Sequence, residues 1–284
     1  MKNTGLVIRP MQKHELGLMM DWAAEEGWNP GLHDGDCYFS ADPKGFLLAL
    51  LDGEPVATLS GVRYSDEFGF LGFYIVKPEY RGRGLGMQIW KAGMDYLAGC
   101  NIALDGVVAQ QSNYARSGFR FAWNNVRYAG QARHAQCESA AASFPLSVTD
   151  LAELLDYDKP FFPVARPEFL ASWIDQPGAT ALGVRKQGRL AGYGVIRPCR
   201  EGFKIGPLYA DSPQLAEVLF NDLQQTVPVG AQIYLDLPDT NLEAVGLAQA
   251  AGMEPVFETA RMYTGDTPEL PLDRLYGVTS FEIG

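Results

Sequence analysis

The sequence is poor in the residues that build metal and redox centres. Its 284 residues hold only four cysteines and three histidines. Cys37, Cys100, Cys137 and Cys199 form no CxxC pair, and none has a histidine at metal-ligand spacing. They read as isolated reduced thiols, so no metal and no disulfide framework is expected. His14, His33 and His134 read as surface residues. Positive charge is also scarce, with 23 Lys and Arg against 34 Asp and Glu and a net charge of -11. That balance argues against a nucleic-acid partner, which leaves a basic footprint, and is compatible with a cationic acceptor. No stretch approaches the roughly 20 apolar residues of a membrane span. The start, "MKNTGLVIRP", lacks the apolar core of a secretory signal. A soluble cytoplasmic protein without a membrane partner is expected.

What is present supports a folded chain. Hydrophobic residues make up 47% and aromatics 12%, and the length suggests two domains. The chain also resembles itself. "LGLMMDWAA" (16–24) matches "LAELLDYDK" (151–159), setting Asp156 135 residues after Asp21 and Tyr157 over Trp22. Gly188 follows Gly53 by 135, Gly206 follows Gly72 by 134, Asp236 follows Asp105 by 131, Gly252 follows Gly118 by 134 and Gly265 follows Gly130 by 135. So steady an offset implies two copies of one fold, residues 1–136 and 145–284, joined at the small-residue stretch "CESAAASFP" (137–145). Each copy reads as a helix, a hairpin (turning at Asp52-Gly53 in the first), a buried strand, a helix and two further strands. The class is α/β or α+β around a mixed sheet.

The densest signal is "YIVKPEYRGRGLGMQIW" (74–90), a strand, a glycine-rich turn and a helix start. Free N–H groups and the helix dipole make such a turn an anion site, and glycines let the backbone approach phosphate oxygens. A P-loop needs GxxxxGK[ST], and Gly86 is followed by Met87-Gln88, so that reading fails. Gly82, Gly84 and Gly86 give GxGxG rather than the GxGxxG of a dinucleotide fold. A flexible turn with solvated arginines is the bland alternative.

The stretch resembles motif A of the GNAT N-acetyltransferase superfamily, Arg/Gln-x-x-Gly-x-Gly/Ala, matched by Arg81, Gly84 and Gly86. "NYARSGF" (113–119) resembles the family's Tyr-x-x-x-Gly-Phe ending. The whole resembles GNAT proteins with a degenerate second copy. The resemblance implies acetyl-CoA as the anion, with its pyrophosphate on the segment Arg81, Gly82, Arg83, Gly84, Leu85, Gly86 and Met87. It implies pantetheine along Tyr74, Ile75 and Val76, with Asn113 as a further contact in place of the family's more upstream asparagine; position 107 is Val here. The N–H of Ile75 or Val76 would polarise the thioester carbonyl, and Tyr114 would protonate the departing thiolate. The alternative for Tyr114 is packing beside the cofactor. Candidate bases are Glu26 and Asp105, and Trp22, Glu25, Trp28 and Asp36 are expected to line the acceptor site, with Tyr38 a further wall. The second copy has "YADSPQLAEVL" (209–219) where the loop should be, so it is expected to bind no CoA.

The expected activity is transfer of acetyl from acetyl-CoA to a primary amine of a small molecule or peptide by direct attack. Rival readings are a transferase using another acyl-CoA and a non-catalytic acyl-CoA sensor. Either a monomer or a homodimer is compatible with the sequence.

Overall fold

The computed structural model describes residues 5–134 and 142–284. Cys137 and most of the expected joining stretch, 137–141, lie outside the described residues. Strand β1 (Leu6–Pro10) leads into helix α1 (Leu16–Glu25), which buries Leu16, Met19, Met20 and Ala23 at the spacing of one helix face. Helix α2 (Asp34–Ala41) follows, an element not expected from the sequence. The hairpin is β2 (Phe46–Leu51) and β3 (Glu54–Arg63). Asp52 and Gly53 both take positive φ at its turn, 53° and 89°, the conformation that an Asp-Gly pair favours. Then come β4 (Phe68–Val76), α3 (Leu85–Tyr96), β5 (Asn101–Val107), α4 (Gln111–Arg116) and β6 (Arg120–Gln131).

The order repeats. β7 (Ser143–Pro145), α5 (Leu151–Asp158), α6 (Pro167–Ile174), β8 (Thr180–Lys186), β9 (Arg189–Pro198), β10 (Phe203–Ala210), α7 (Pro213–Gln225), β11 (Gln232–Pro238), α8 (Leu242–Ala250) and β12 (Glu254–Tyr263) mirror the first half. A last short strand, β13 (Leu275–Gly277), has no counterpart. The fold is thus a mixed α/β sheet built from two tandem copies.

The copies share one sheet, in the order β1-β2-β3-β4-β5-β12-β6-β11-β10-β9-β8-β7. Among the described residues only β4–β5 and β10–β11 are parallel. The last strands are exchanged: β12 of the second copy inserts between β5 and β6, and β6 of the first pairs with β11. Two reciprocal ion pairs fix this register. Arg261 on β12 stands opposite Asp105 on β5 and bonds both its oxygens, at 2.8 and 2.6 Å. Arg127 on β6 stands opposite Asp236 on β11 and does the same, at 2.7 and 2.8 Å. Burial pushes the Asp236 carboxyl up, but the Arg127 charge and hydrogen bonds hold it below its ordinary value. Breaking such a buried pair from one side costs about 3–5 kcal/mol, so a slipped or unexchanged strand is strongly disfavoured.

The two copies differ where their parallel strands part. β4 pairs with β5 only through Phe68–Phe70, then diverges. β10 pairs with β11 only at 203–205. In the second copy β13 enters that gap, pairing Leu275 and Gly277 with Tyr209 and Leu208 of β10, while the N–H of Val278 donates to Asp236 O on β11 at 2.7 Å. Segment 278–284 then crosses back to the first copy. Gly206 and Gly72, equivalent in the repeat, are where it crosses. A Cβ on Gly206 would lie 2.6 Å from the Val278 oxygen, and one on Gly72 only 2.0 Å from the Glu282 oxygen.

Candidate active site

In the first copy the gap between β4 and β5 stays open. β4 carries a bulge there: Thr58 of β3 faces Ile75, Ser60 faces Gly72, and Phe73 sits between with a φ of 46°. A bulky residue in the left-handed region is strained, and such strain clusters at functional sites. Thr58 Oγ1 donates to the Phe73 oxygen at 3.0 Å and holds the bulge. Beyond Phe70 the β5 side of β4 has no strand partner among the described residues.

At the end of β4 the chain makes a short turn at Pro78–Tyr80 and enters the glycine loop. Gly82 and Gly84 hold φ of 74° and 76°, a conformation natural only to glycine. Gly84 is the N-cap of α3 and offers it no side-chain acceptor, so the first N–H groups of the helix point outward. Gly86, one turn on, is a close-packing glycine: a Cβ there would lie 2.4 Å from the Tyr74 hydroxyl and 3.0 Å from Val76. Leu85, Ile89 and Trp90 anchor the helix by their buried side chains.

The arginines are not both free. Arg81 donates through Nε to the Val76 oxygen at 2.8 Å and is ion-paired with Glu26. Arg83 lies 5.2 Å above the Tyr80 ring. Arg81 therefore shapes the loop, whose residues 81–84 are exposed. The groove beside the loop encloses about 1940 Å³ including its open mouth, and is lined by the loop, by β4 from Tyr74 to Val76, by Met87, and by Asn113, Tyr114, Arg116 and Ser117.

Tyr114 lies where the groove narrows. It is 9% exposed, its ring stacks on Trp90 with centroids 5.7 Å apart, and a Cβ on Gly106 would overlap it at 2.2 Å. Burial, with a smaller effect from Tyr74, pushes its hydroxyl up to about 12. The phenol therefore stays a proton donor throughout the neutral range. Asn113 holds hydrogen bonds to Gln110 and Arg116, which occupy both ends of its amide.

A second, small cavity of about 60 Å³ meets the groove at Trp28, Tyr74, Trp90, Val107 and Tyr114. Its further walls are Leu71, Gly72, Phe73, Leu104, Asp105, Gly106, Phe257, Thr259, Phe281 and Glu282. The second copy thus contributes Phe257 and Thr259 from β12 and Phe281 and Glu282 from the final segment.

The geometry gathers Tyr74, Ile75, Val76, Arg81, Gly82, Gly84, Gly86, Met87, Asn113, Tyr114, Glu26 and Trp28 around the groove. Several expected acceptor residues lie elsewhere. Trp22 is buried between α1 and the sheet, with Lys77 5.3 Å from its ring. Glu25 is exposed at the end of α1. Asp36 is on the surface, 2.9 Å from Lys13. Tyr38 is core, stacked 5.9 Å from Trp173. Glu26 lines the groove rather than the cavity and is held by Arg81. Asp105 does line the cavity, but both its oxygens bind Arg261 and one also accepts from Asn125 at 2.8 Å, so it is an unavailable base. Sequence reasoning missed Arg116, although its charge beside the motif was a visible signal. It also missed Phe73, Phe257, Thr259, Phe281 and Glu282, for which spacing carried none. Among the described residues no group of three His, Cys, Asp or Glu is placed to hold a metal ion.

Comparison with known proteins bears on this geometry. Residues 14–119 match the family described as "Acetyltransferase (GNAT) family", and residues 154–277 match "Acetyltransferase (GNAT) domain". The chain is 28% identical over 276 residues to "Holothin acyltransferase" of Pseudoalteromonas sp. (strain SANK 73390), covering 97% of this chain and 94% of that one. Among solved structures, a putative acetyltransferase from Pyrococcus horikoshii superposes with a TM-score of 0.83 at 24% identity, over 100% of this chain and 98% of that one. A "Tandem GNAT protein from the clavulanic acid biosynthesis pathway" superposes with a TM-score of 0.66 at 12% identity, over 93% and 100%.

Proposed function

For a chain that belongs to the GNAT acetyltransferase family, carries its fold twice and is an acyltransferase, we propose that the first copy transfers acetyl from acetyl-CoA to a primary amine held in the cavity behind Tyr114. The observation that carries this is the open gap between β4 and β5, with a glycine loop at one end and the aromatic cavity at the other. The residues present fit the cosubstrate. The loop presents N–H groups without a Cβ in the way, since nothing lies within 4 Å of one at Gly82 or Gly84. The unpaired edge of β4 matches an extended pantetheine arm, which carries amide groups of its own.

When bound, acetyl-CoA supplies the activated acyl group. The chain's own residues do the rest. The loop and the α3 N-terminus hold the negative charge of the phosphates. The N–H groups of β4 that face the gap beyond Phe73 would meet the oxyanion as it forms. Tyr114 holds its proton at the hydroxyl, next to where the sulfur must leave. The second copy is proposed to bind no acyl-CoA, because β13 fills its gap and its α7 start, capped by Ser212, replaces the glycine loop. Its work is to complete the sheet and wall the cavity.

Thiol release from acetyl-CoA in the presence of amines, amino acids and polyamines tests the reading. Amine-dependent release supports it. CoA binding without release on any amine would favour a sensor, and release only from longer acyl-CoAs would reassign the acyl group.

Glu26→Gln separates a loop-shaping role from a catalytic one. The Glu26–Arg81 pair is half-exposed, and such pairs are worth about 1 kcal/mol or less. We expect kcat within about fivefold of wild type, any change falling on the acyl-CoA KM rather than the amine KM. A hundredfold fall in kcat would make Glu26 the base instead.

A further inference from the structure

We propose that Glu282, delivered to the first copy by the segment after β13, is the catalytic base that takes the proton from the acceptor's ammonium group. The inference rests on the acyl-transfer reading above and adds the residue that prepares the nucleophile.

Position comes first. The backbone of Glu282 lies across β4 at Gly72, one residue before the strained Phe73, so closely that its carbonyl oxygen would be 2.0 Å from a Cβ there. A local turn fixes it: Ser280 Oγ accepts from the N–H groups of Glu282 and Ile283, both at 3.2 Å. Tyr64 donates to the Ile283 oxygen at 2.9 Å. The residue is 4% exposed and lines the same cavity as Tyr114.

Charge comes second. The cavity is lined by two carboxylates, Asp105 and Glu282. Asp105 is neutralised by Arg261. Among the described residues Glu282 has no Lys or Arg partner, and the one side chain bonded to its carboxylate is the Tyr38 hydroxyl, at 3.2 Å. That hydroxyl has a single proton and also lies 3.2 Å from Asp34, whose own charge is met by Arg197. Arg127 acts on Glu282 from β6, but its guanidinium is committed to Asp236 and lies 5.0 Å over the Phe281 ring. A buried carboxylate whose nearest cation is committed to another acid is costly unless a ligand supplies a further one. An incoming ammonium group is that ligand.

The Glu282 carboxylate takes one proton from R–NH3⁺, leaving a neutral amine. The nitrogen forms a bond to the thioester carbon and the carbon–sulfur bond breaks. The sulfur takes the Tyr114 proton, which the second proton on nitrogen replaces. Products are the amide, the thiol and a proton on Glu282 that passes to solvent.

The test compares Glu282→Gln with the wild-type chain on two ring-bearing amines. Benzylamine is mostly ammonium at pH 7, whereas aniline is mostly neutral and needs no base. We expect kcat/KM for benzylamine to fall about 30-fold at pH 7 and recover as pH rises and the free amine accumulates. For aniline it should stay within about threefold, and CoA affinity by calorimetry should not change. A purely structural role would lower both amines alike. Equal losses, unchanged rates with both amines, or a wild-type enzyme that never uses the alkylamine would overturn the proposal. Loss of CoA binding by the wild type would instead sink the acyl-transfer reading. Should Glu282→Gln fail to fold, Glu282→Asp keeps the charge at a longer reach, and the same selective but smaller loss on benzylamine is required of it.

Discussion

Gly84→Asp should abolish measurable acyl-CoA binding in a chain that still folds. The substitution introduces no clash, since nothing lies within 4 Å of a Cβ at this position. It carries a backbone cost of about 1–2 kcal/mol for a φ of 76°. The side chain itself removes the function. The new carboxylate occupies the helix N–H groups that the phosphates need and adds negative charge where they would sit. Losing two charge-assisted hydrogen bonds, at about 1.5–3 kcal/mol each, raises Kd by at least about a hundredfold. Calorimetry and a melting curve on the same protein check both halves of the statement. Wild-type affinity in a folded Gly84→Asp chain would remove the loop from the site.

Tyr114→Phe should leave CoA affinity and melting temperature nearly unchanged and lower kcat by roughly 10² to 10⁴. The ring keeps its stacking on Trp90 and its contact with Gly106, so packing is preserved. Only the donor is lost. The hydroxyl's pKa also sets a sign. Burial raises it to about 12, so the acid form is present at neutral pH and is lost only as pH rises through that value. The wild-type kcat should therefore show no alkaline fall belonging to this group below about pH 11. Tyr114→Ala, by contrast, should cost about 3–5 kcal/mol of stability through the cavity it leaves. Wild-type turnover by a well-folded Tyr114→Phe enzyme would reduce Tyr114 to a packing residue.

Much of the first copy was legible because it is local. The Asp52-Gly53 hairpin, the strand before Pro78, the glycine loop and the helix after it are each specified within about twenty residues. The repeat was legible because glycines at turns and crossings recur at a fixed offset, Gly53 with Gly188 and Gly72 with Gly206. What the sequence could not disclose is which distant residues meet. Asp105 is a candidate base in the sequence and Asp236 its equivalent in the repeat, but their partners, Arg261 and Arg127, come from exchanged strands 156 and 109 residues away. Nor are the partners of the acids between α1 and the hairpin legible in the sequence. Asp34 pairs with Arg197, Asp36 with Lys13, and Glu26 with Arg81. Likewise nothing in "LYGVTSFEIG" (275–284) announced a strand that plugs one gap and a carboxylate that reaches the other.

That plug makes the central claim directly measurable. One gap of the shared sheet is open, and the equivalent gap is filled by β13. Titration of the intact chain with acetyl-CoA in a calorimeter should give one bound molecule per chain, with no second phase at higher ligand concentration. Two sites would mean that β13 does not close the second copy, and no binding would contradict the account as a whole.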